Sequence, residues 1–284
     1  MVDQNPFLDF NADESTFQQR VQLPVIQWIN QDPKSRDPQC VATTGGFFSE
    51  NQLTPAMRDG FFVTESGQQI NGFFCETLTL ALLCRRSRWL VTDADGTAQT
   101  FMGYHDAEDQ LGSALAKKGR SHVQLACIVQ GDEEHEIQAL TLRGMAGDGV
   151  QLWDAEINKA LAIPATRWKR HVAQNPAATA IPPWAFWVRF VVGEPREVGS
   201  ATKKRITPPV MVLPKLEGPE AKRVLIGAFI GKTLSTLVEQ WLLTDGRRWR
   251  NQWRQGDQQS KKHDVAPMSN NEPPPPQSEW EPGL

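Results

Sequence analysis

Trp184-Ala-Phe-Trp-Val-Arg-Phe-Val-Val192 and Val123-Gln-Leu-Ala-Cys-Ile-Val129 decide the fold. In the first, Trp184, Phe186, Val188 and Phe190 fall on one side at period 2, with Ala185, Trp187 and Arg189 on the other. In the second, Val123, Leu125, Cys127 and Val129 alternate with polar or small residues. Leu140 and Leu142 do the same beyond an acidic connection, Gly131 to Glu136. Period 2 marks a half-buried strand, and the second pair of runs predicts a hairpin. Working outward, Leu23 to Asn30, Phe61 to Glu65, Phe73 to Leu83 and Trp89 to Thr92 are further runs of strand formers. Gly, Asp and Ser clusters between them supply turns. Helical spacing is rarer. A helix is expected from Asp148, which stands with Gln151 at capping-box spacing, and carries Val150, Trp153, Ile157 and Leu161 on one face until Pro164 ends it. A second carries Leu234, Leu237, Val238, Trp241 and Leu242, is interrupted at Asp245-Gly246, and resumes its stripe with Trp249 and Trp253. The predicted class is α+β: an antiparallel β-rich core, an OB-like barrel or a sandwich, with a few helices and a disordered C-terminal tail.

Four parts follow along the chain. Residues 1–20 form a flexible acidic arm with Asp3, Asp9, Asp13 and Glu14 around Phe7, Phe10 and Phe17; 21–214 form the β-rich core domain. Residues 215–256 form a C-terminal helical segment, and 257–284 a disordered, Pro-rich acidic tail. From Asp264 to Leu284 there are six prolines, four acidic residues and no Lys or Arg, too little apolar surface to offset the entropy of ordering. The 284 residues, 39% hydrophobic and 22% charged, can bury a sizeable core. A net charge of -3 and a pI near 6.0 exclude a generally basic, histone-like protein, so any contact with nucleic acid needs a local patch. Cys40, Cys75, Cys84 and Cys127 match neither a zinc ribbon nor a disulfide framework and read as free thiols. The acidic N-terminus lacks the pattern of a signal peptide, and no stretch approaches 18 uninterrupted apolar residues, so the expected location is cytoplasmic and without membrane contact.

Motifs for chemistry fall short. Gly227-Ala-Phe-Ile-Gly231-Lys232-Thr233 resembles a phosphate-binding loop but has one residue too few between its glycines. Asp93 and Asp95 lack a third carboxylate for a metal, and His135-Glu136 lacks the second histidine of a zinc protease, Ala standing at 139. No nucleophile motif accompanies His105, His122, His171 or His263. No catalytic residue, metal site or cofactor is therefore assigned.

Aromatic and basic residues are the informative ones, with ten Trp against a single Tyr. Arg85, Arg86 and Arg88 precede Trp89; Trp168 precedes Lys169 and Arg170; Trp187 stands two residues before Arg189; Arg247, Arg248, Arg250 and Arg254 surround Trp249 and Trp253. Between Lys215 and Lys262 ten basic residues face five acidic ones. Single-stranded nucleic acid is held by such pairs, bases stacking on aromatic faces at about 1 to 3 kcal/mol each while Arg neutralises phosphate. The expected contacts are Arg85, Arg86, Arg88, Trp89, Trp187, Arg189, Arg247, Arg250 and Arg254. The expected partner is nucleic acid, single-stranded DNA favoured, bound by an accessory protein of DNA metabolism or of a mobile element. The alternative is a protein–protein adaptor or assembly subunit acting through the Phe-rich arm and the tail tip, Glu279, Trp280, Glu281 and Leu284, with homo-oligomers possible.

Two resemblances bear on this. A Pro-rich linker ending in Ser278-Glu279-Trp280-Glu281-Pro282-Gly283-Leu284 is similar in plan to the tails of bacterial and phage single-strand-binding proteins, although the family's tip is more densely acidic and ends in a bulky aromatic residue. That similarity implies a tip that recruits partner proteins and competes for a basic groove. Leu23-Pro-Val-Ile-Gln-Trp-Ile-Asn30, Ser87-Arg-Trp-Leu90 (taken as a turn) and Leu140-Thr-Leu-Arg-Gly144 resemble an uncharacterised cyanobacterial domain-of-unknown-function family, found also on plasmids and mobile elements. This second resemblance implies a link to mobile DNA and no activity.

Overall fold

The computed structural model describes residues 21–32, 34–64, 66–92, 98–147, 149–198 and 204–253. The arm 1–20, Asp93, Asp95, Asp148, Arg254 and the tail with Glu279, Trp280, Glu281 and Leu284 lie outside them. Among the described residues there are twelve strands: β1 (Val25–Ile29), β2 (Gly46–Ser49), β3 (Arg58–Val63), β4 (Gln69–Cys75), β5 (Thr77–Thr92), β6 (Ala98–Phe101), β7 (Arg120–Val129), β8 (Gln138–Arg143), β9 (Val188–Val192), β10 (Arg196–Val198), β11 (Lys204–Ile206) and β12 (Pro209–Val212). The helices are α1 (Tyr104–Leu111), α2 (Ser113–Ala116), α3 (Val150–Ile157), α4 (Ile163–Val172), α5 (Ala221–Ala228) and α6 (Lys232–Leu243), followed by a helical stretch over 245–253.

The class is α+β around a β-rich core. Ten strands form one sheet in the order β12-β9-β5-β7-β8-β1-β2-β4-β3, with β6 pairing the far end of β5; β10 and β11 pair apart from it. The path is open, ending at β12 and β3, and so differs from an OB-like barrel in strand number and closure. It is also mixed rather than wholly antiparallel, because β1 enters the sheet parallel to β8, with Ile26 opposite Leu140. The predicted hairpin is β7–β8, with Leu125 opposite Leu140 and Val123 opposite Leu142. From Trp184-to-Val192 only Val188–Val192 is strand; 183–185 form a single helical turn, consistent with the consecutive prolines at 182 and 183.

Helices cover both faces of the sheet centre. On one face, Leu78, Leu80 and Leu82 of β5, Val123, Leu125, Cys127 and Val129 of β7, and Leu140 and Leu142 of β8 pack against Trp153, Ile157, Leu161 and Ala165. On the other, Ala81, Leu83, Ala126, Ile128 and Ala139 pack against Leu234 and Val238 of α6 and Trp249 of the 245–253 stretch. These are called the α3 face and the α6 face below. Small residues on the α6 face suit the close approach of α6, and the larger aliphatic set on the α3 face fills the main core. The chain passes from one face to the other beside β9, where Trp187 N donates to Ala228 O at 2.7 Å and Ile230 N donates to Ala185 O at 3.0 Å.

Two local departures from the sequence pattern matter. The run 77–92 is one sixteen-residue strand, so Arg85 to Trp89, including the stretch Ser87 to Leu90 expected as a turn, lie in mid-sheet. Within it Leu82 is opposite Cys127 but Cys84 is opposite Ala126, a β-bulge that adds one residue and exchanges the two faces beyond it. The second departure is at Pro164, which does not end the helix. Residues 158–162 form a π-turn between α3 and α4, and Pro164 stands in the first turn of α4, where its missing N–H is tolerated. The N-cap of α3 is Gly149, in left-handed conformation and without a side-chain capping bond.

Candidate nucleic-acid interface

Beyond the bulge, Arg86 and Arg88 point to the α6 face. Cross-strand registry then builds two polar rows there: Arg86–Gln124–Thr141 and Arg88–His122–Arg143, each running over β5, β7 and β8. In the first row Arg86 Nε and Nη2 donate to Gln124 Oε1 at 2.9 and 2.7 Å, and Gln124 Nε2 donates to Thr141 Oγ1 at 3.1 Å. Arg86 Nη1 donates to the Trp249 carbonyl at 2.9 Å and to Gln252 Oε1 at 3.3 Å. Its guanidinium carbon lies 4.0 Å from the Trp249 ring centre and 4.3 Å from that of Trp253. Burial, and then the Arg88 charge, lower its pKa to about 10, which leaves it cationic at neutral pH. Arg86 thus fastens the 245–253 helix to the sheet, and Trp249, fully buried, has no face left for a base.

The second row is more open. Arg88 Nε donates to His122 Nδ1 at 3.2 Å, and its guanidinium stacks 4.4 Å from the centre of Trp253. The His122 ring lies 5.2 Å from that of Trp253 at 45°. Burial, and then Arg88, Arg143, Arg86 and Arg120 in turn, push the imidazole down to about 4, so it is neutral at physiological pH. With Nδ1 accepting from Arg88, the ring proton resides on Nε2. That N–H is buried and meets no acceptor among the described residues. Arg120 and Arg143 are exposed, at the open end of the two rows.

The residues expected from sequence divide four ways. Arg86 and Arg88 come together with Trp249 and Trp253, and Arg250 lies close enough to influence the Cys84 thiol, which burial pushes up to about 12. Arg85 and Trp89 turn to the other face. Arg85 there acts on Asp154 of α3, and Trp89 Nε1 donates to Ala116 O at 3.0 Å with its ring edge-to-face on Tyr104. Trp187 packs against the α6-face core, and Arg189 is opposite Thr79. Seven residues along β5 separate Thr79 from Arg86, about 23 Å at strand rise, so Trp187 and Arg189 do not join the cluster. Arg247 is exposed on the outer side of its helix. Arg120, His122 and Arg143 were missed, although their signal was present: Arg120, His122 and Gln124 occupy the polar alternate positions of the hairpin strand already recognised.

The other motifs resolve into ordinary structure. Gly227 to Thr233 is a helix–helix joint between α5 and α6, and Asp132 is a turn residue whose carboxylate accepts from Glu134 N and Glu136 N at 3.1 Å each. Among the described residues no cluster of His, Cys, Asp and Glu could hold a metal, and no helix is long and apolar enough to cross a membrane. Comparison of the chain with family models, with curated proteins and with solved structures finds no match.

Proposed function

We propose that the protein binds single-stranded nucleic acid, single-stranded DNA in the first place, through the α6-face surface of β5, β7 and β8, as an accessory protein of DNA metabolism. One observation carries the reading: the rows across β5, β7 and β8 gather Arg86, Arg88 and Arg143 around His122, and with Arg120 these are the charges that act on its imidazole among the described residues. Such a concentration of positive charge on a chain of net charge -3 favours a polyanion over a neutral partner. Arg143 and Arg120 hold phosphates from the exposed side, beside the neutral His122. Trp253, half-buried beside them, supplies aromatic surface to an unpaired base, which a duplex keeps stacked.

Fluorescence anisotropy of a labelled oligonucleotide at about 50 mM and about 200 mM salt tests this. Affinity should fall at least tenfold between the two, and single strands should bind more tightly than duplex. Arg143→Ala and Arg120→Ala should each lower the log–log salt slope by about 1, while Arg189→Ala leaves it unchanged. No binding at low salt would overturn the reading in favour of a protein adaptor; a slope that responds to Arg189 and not to Arg143 would overturn the face.

A further inference from the structure

On the α3 side, a groove of about 420 Å³ lies between the helix and the chain leading from β12 to α5, lined by Lys159, Pro164, Leu213, Pro214 and Leu216, with Glu156 at one end. One turn beyond Pro164, Trp168 is 37% exposed, the most exposed tryptophan among the described residues, and Val172 extends the stripe at 64%. Lys222 stands with its ammonium 5.2 Å from the centre of the Trp168 ring. Lys169 is held at the same end by donating to Thr179 O at 2.9 Å, and Arg167 is exposed beside it. From Ile157 to Gly193 the chain has no Asp or Glu but carries Lys159, Arg167, Lys169, Arg170 and Arg189. The surface is therefore a shallow apolar channel of proline, leucine and an indole with a cationic end.

We propose that this channel is the docking site of the chain's own C-terminal tail, with Pro273 to Pro276 in the groove and Glu279 and Glu281 at the Trp168 end. Polyproline segments seat against exposed indoles and prolines because their extended helix is preformed and loses little entropy on binding. The dimensions agree. Four residues of polyproline helix span about 12 Å, and the helix from Lys159 to Lys169 is about 15 Å long. Charges also complement, since the last 21 residues hold four carboxylates and no Lys or Arg, while the channel's Trp168 end presents Arg167, Lys169 and Lys222. The described chain stops at Trp253 on the α6 face. Residues 254–272, fully extended, reach at most about 68 Å, enough to pass around the sheet edge.

The full-length chain labelled with 5-fluorotryptophan tests this, with Trp280 assigned by Trp280→Phe and compared with a synthetic peptide of residues 264–284. The Trp280 resonance should differ from that of the peptide, should be independent of protein concentration, and should move to the peptide position in Trp168→Ala and in Lys222→Glu. Both side chains are exposed, so these variants keep the fold, which the remaining tryptophan resonances report. A Trp280 resonance at the peptide position in the unaltered chain would overturn the proposal. So would one indifferent to both substitutions, which places the tail elsewhere, or one that returns on dilution, which assigns the groove to the tail of a second copy.

Discussion

Arg86 spends four of the five N–H groups of its guanidinium inside the molecule, two on Gln124 and one each on the Trp249 carbonyl and Gln252, and lies against two indole rings. A side chain so engaged is a fastener, and Arg143 and Arg120, both exposed, are the ones placed to meet a ligand. His122 between them records the field of all four arginines. Its folded pKa of about 4 lies below the ordinary value of 6.5, so in the interval between the two the unfolded chain binds more protons than the folded one. Stability from this group is thus complete above about pH 6.5 and is lost as pH falls toward 4, by roughly 1 to 3 kcal/mol in all. Urea midpoints of the unaltered chain and of His122→Asn, taken from pH 7 to pH 4.5, should converge as pH falls. Parallel curves would mean that His122 protonates as readily folded as unfolded. None of this was legible at the residue scale, because the sequence shows which cations adjoin a tryptophan in the chain and not which lie over its ring. Arg86 meets Trp249 across 163 residues, whereas Trp89, three positions away, faces the other side.

That reversal belongs to an element. Strand alternation was readable wherever it ran without interruption, as over Val123 to Val129, and there the hairpin, its register and its buried face follow from the residues. In β5 the bulge between Leu82 and Cys84 breaks the phase, and the cluster of arginines beyond it resembles a turn because charged residues seldom occupy mid-sheet. Its consequence is specific: even-numbered residues face α3 before the bulge and α6 after it, which is what carries Arg86 and Arg88 to Trp249 and Trp253. Deleting Leu83 removes the extra residue itself: Leu82 stays opposite Cys127, Cys84 opposite Ala126 and Arg86 opposite Gln124, so alternation becomes continuous and Arg86 and Arg88 keep the α6 face. What the deletion takes away is one buried leucine side chain, about 2 to 5 kcal/mol. The deletion variant should therefore retain a cooperative urea transition at a lower midpoint, whereas Leu83→Val, which keeps the bulge, should lower stability by about 1 kcal/mol. A deletion variant without a cooperative transition would show that the sheet requires the bulge itself.

Over the whole molecule, the question is what makes a ten-stranded open sheet stable, since a face lined by Ala81, Leu83, Ala126, Ile128 and Ala139 cannot remain in water. The segment read from sequence as C-terminal helices answers it. Leu234, Val238 and Trp249 close that face, Leu225 of α5 joins the core on the other, and the two bonds between 185–187 and 228–230 tie the crossing to β9. The amphipathic stripe of α6 announced a buried helix face, but which surface it covers depends on packing between distant segments, which periodicity does not encode. Burial of Trp249, Leu234 and Val238 together is worth about 5 kcal/mol or more at the usual 1.5 to 3 kcal/mol per large side chain, a substantial share of a domain's stability. Sheet and C-terminal helices should accordingly unfold as one unit: far-ultraviolet circular dichroism, which follows the backbone, and tryptophan fluorescence, which follows the indoles on both faces, should give the same midpoint. Truncation after Pro214 should abolish the transition and produce a protein that binds hydrophobic dyes and aggregates, because it uncovers the α6 face. A truncated chain that stays monomeric and melts cooperatively would make residues 21–214 an independent domain, and the arginine rows on β5, β7 and β8 would then be an open sheet surface rather than the margin of a sealed one.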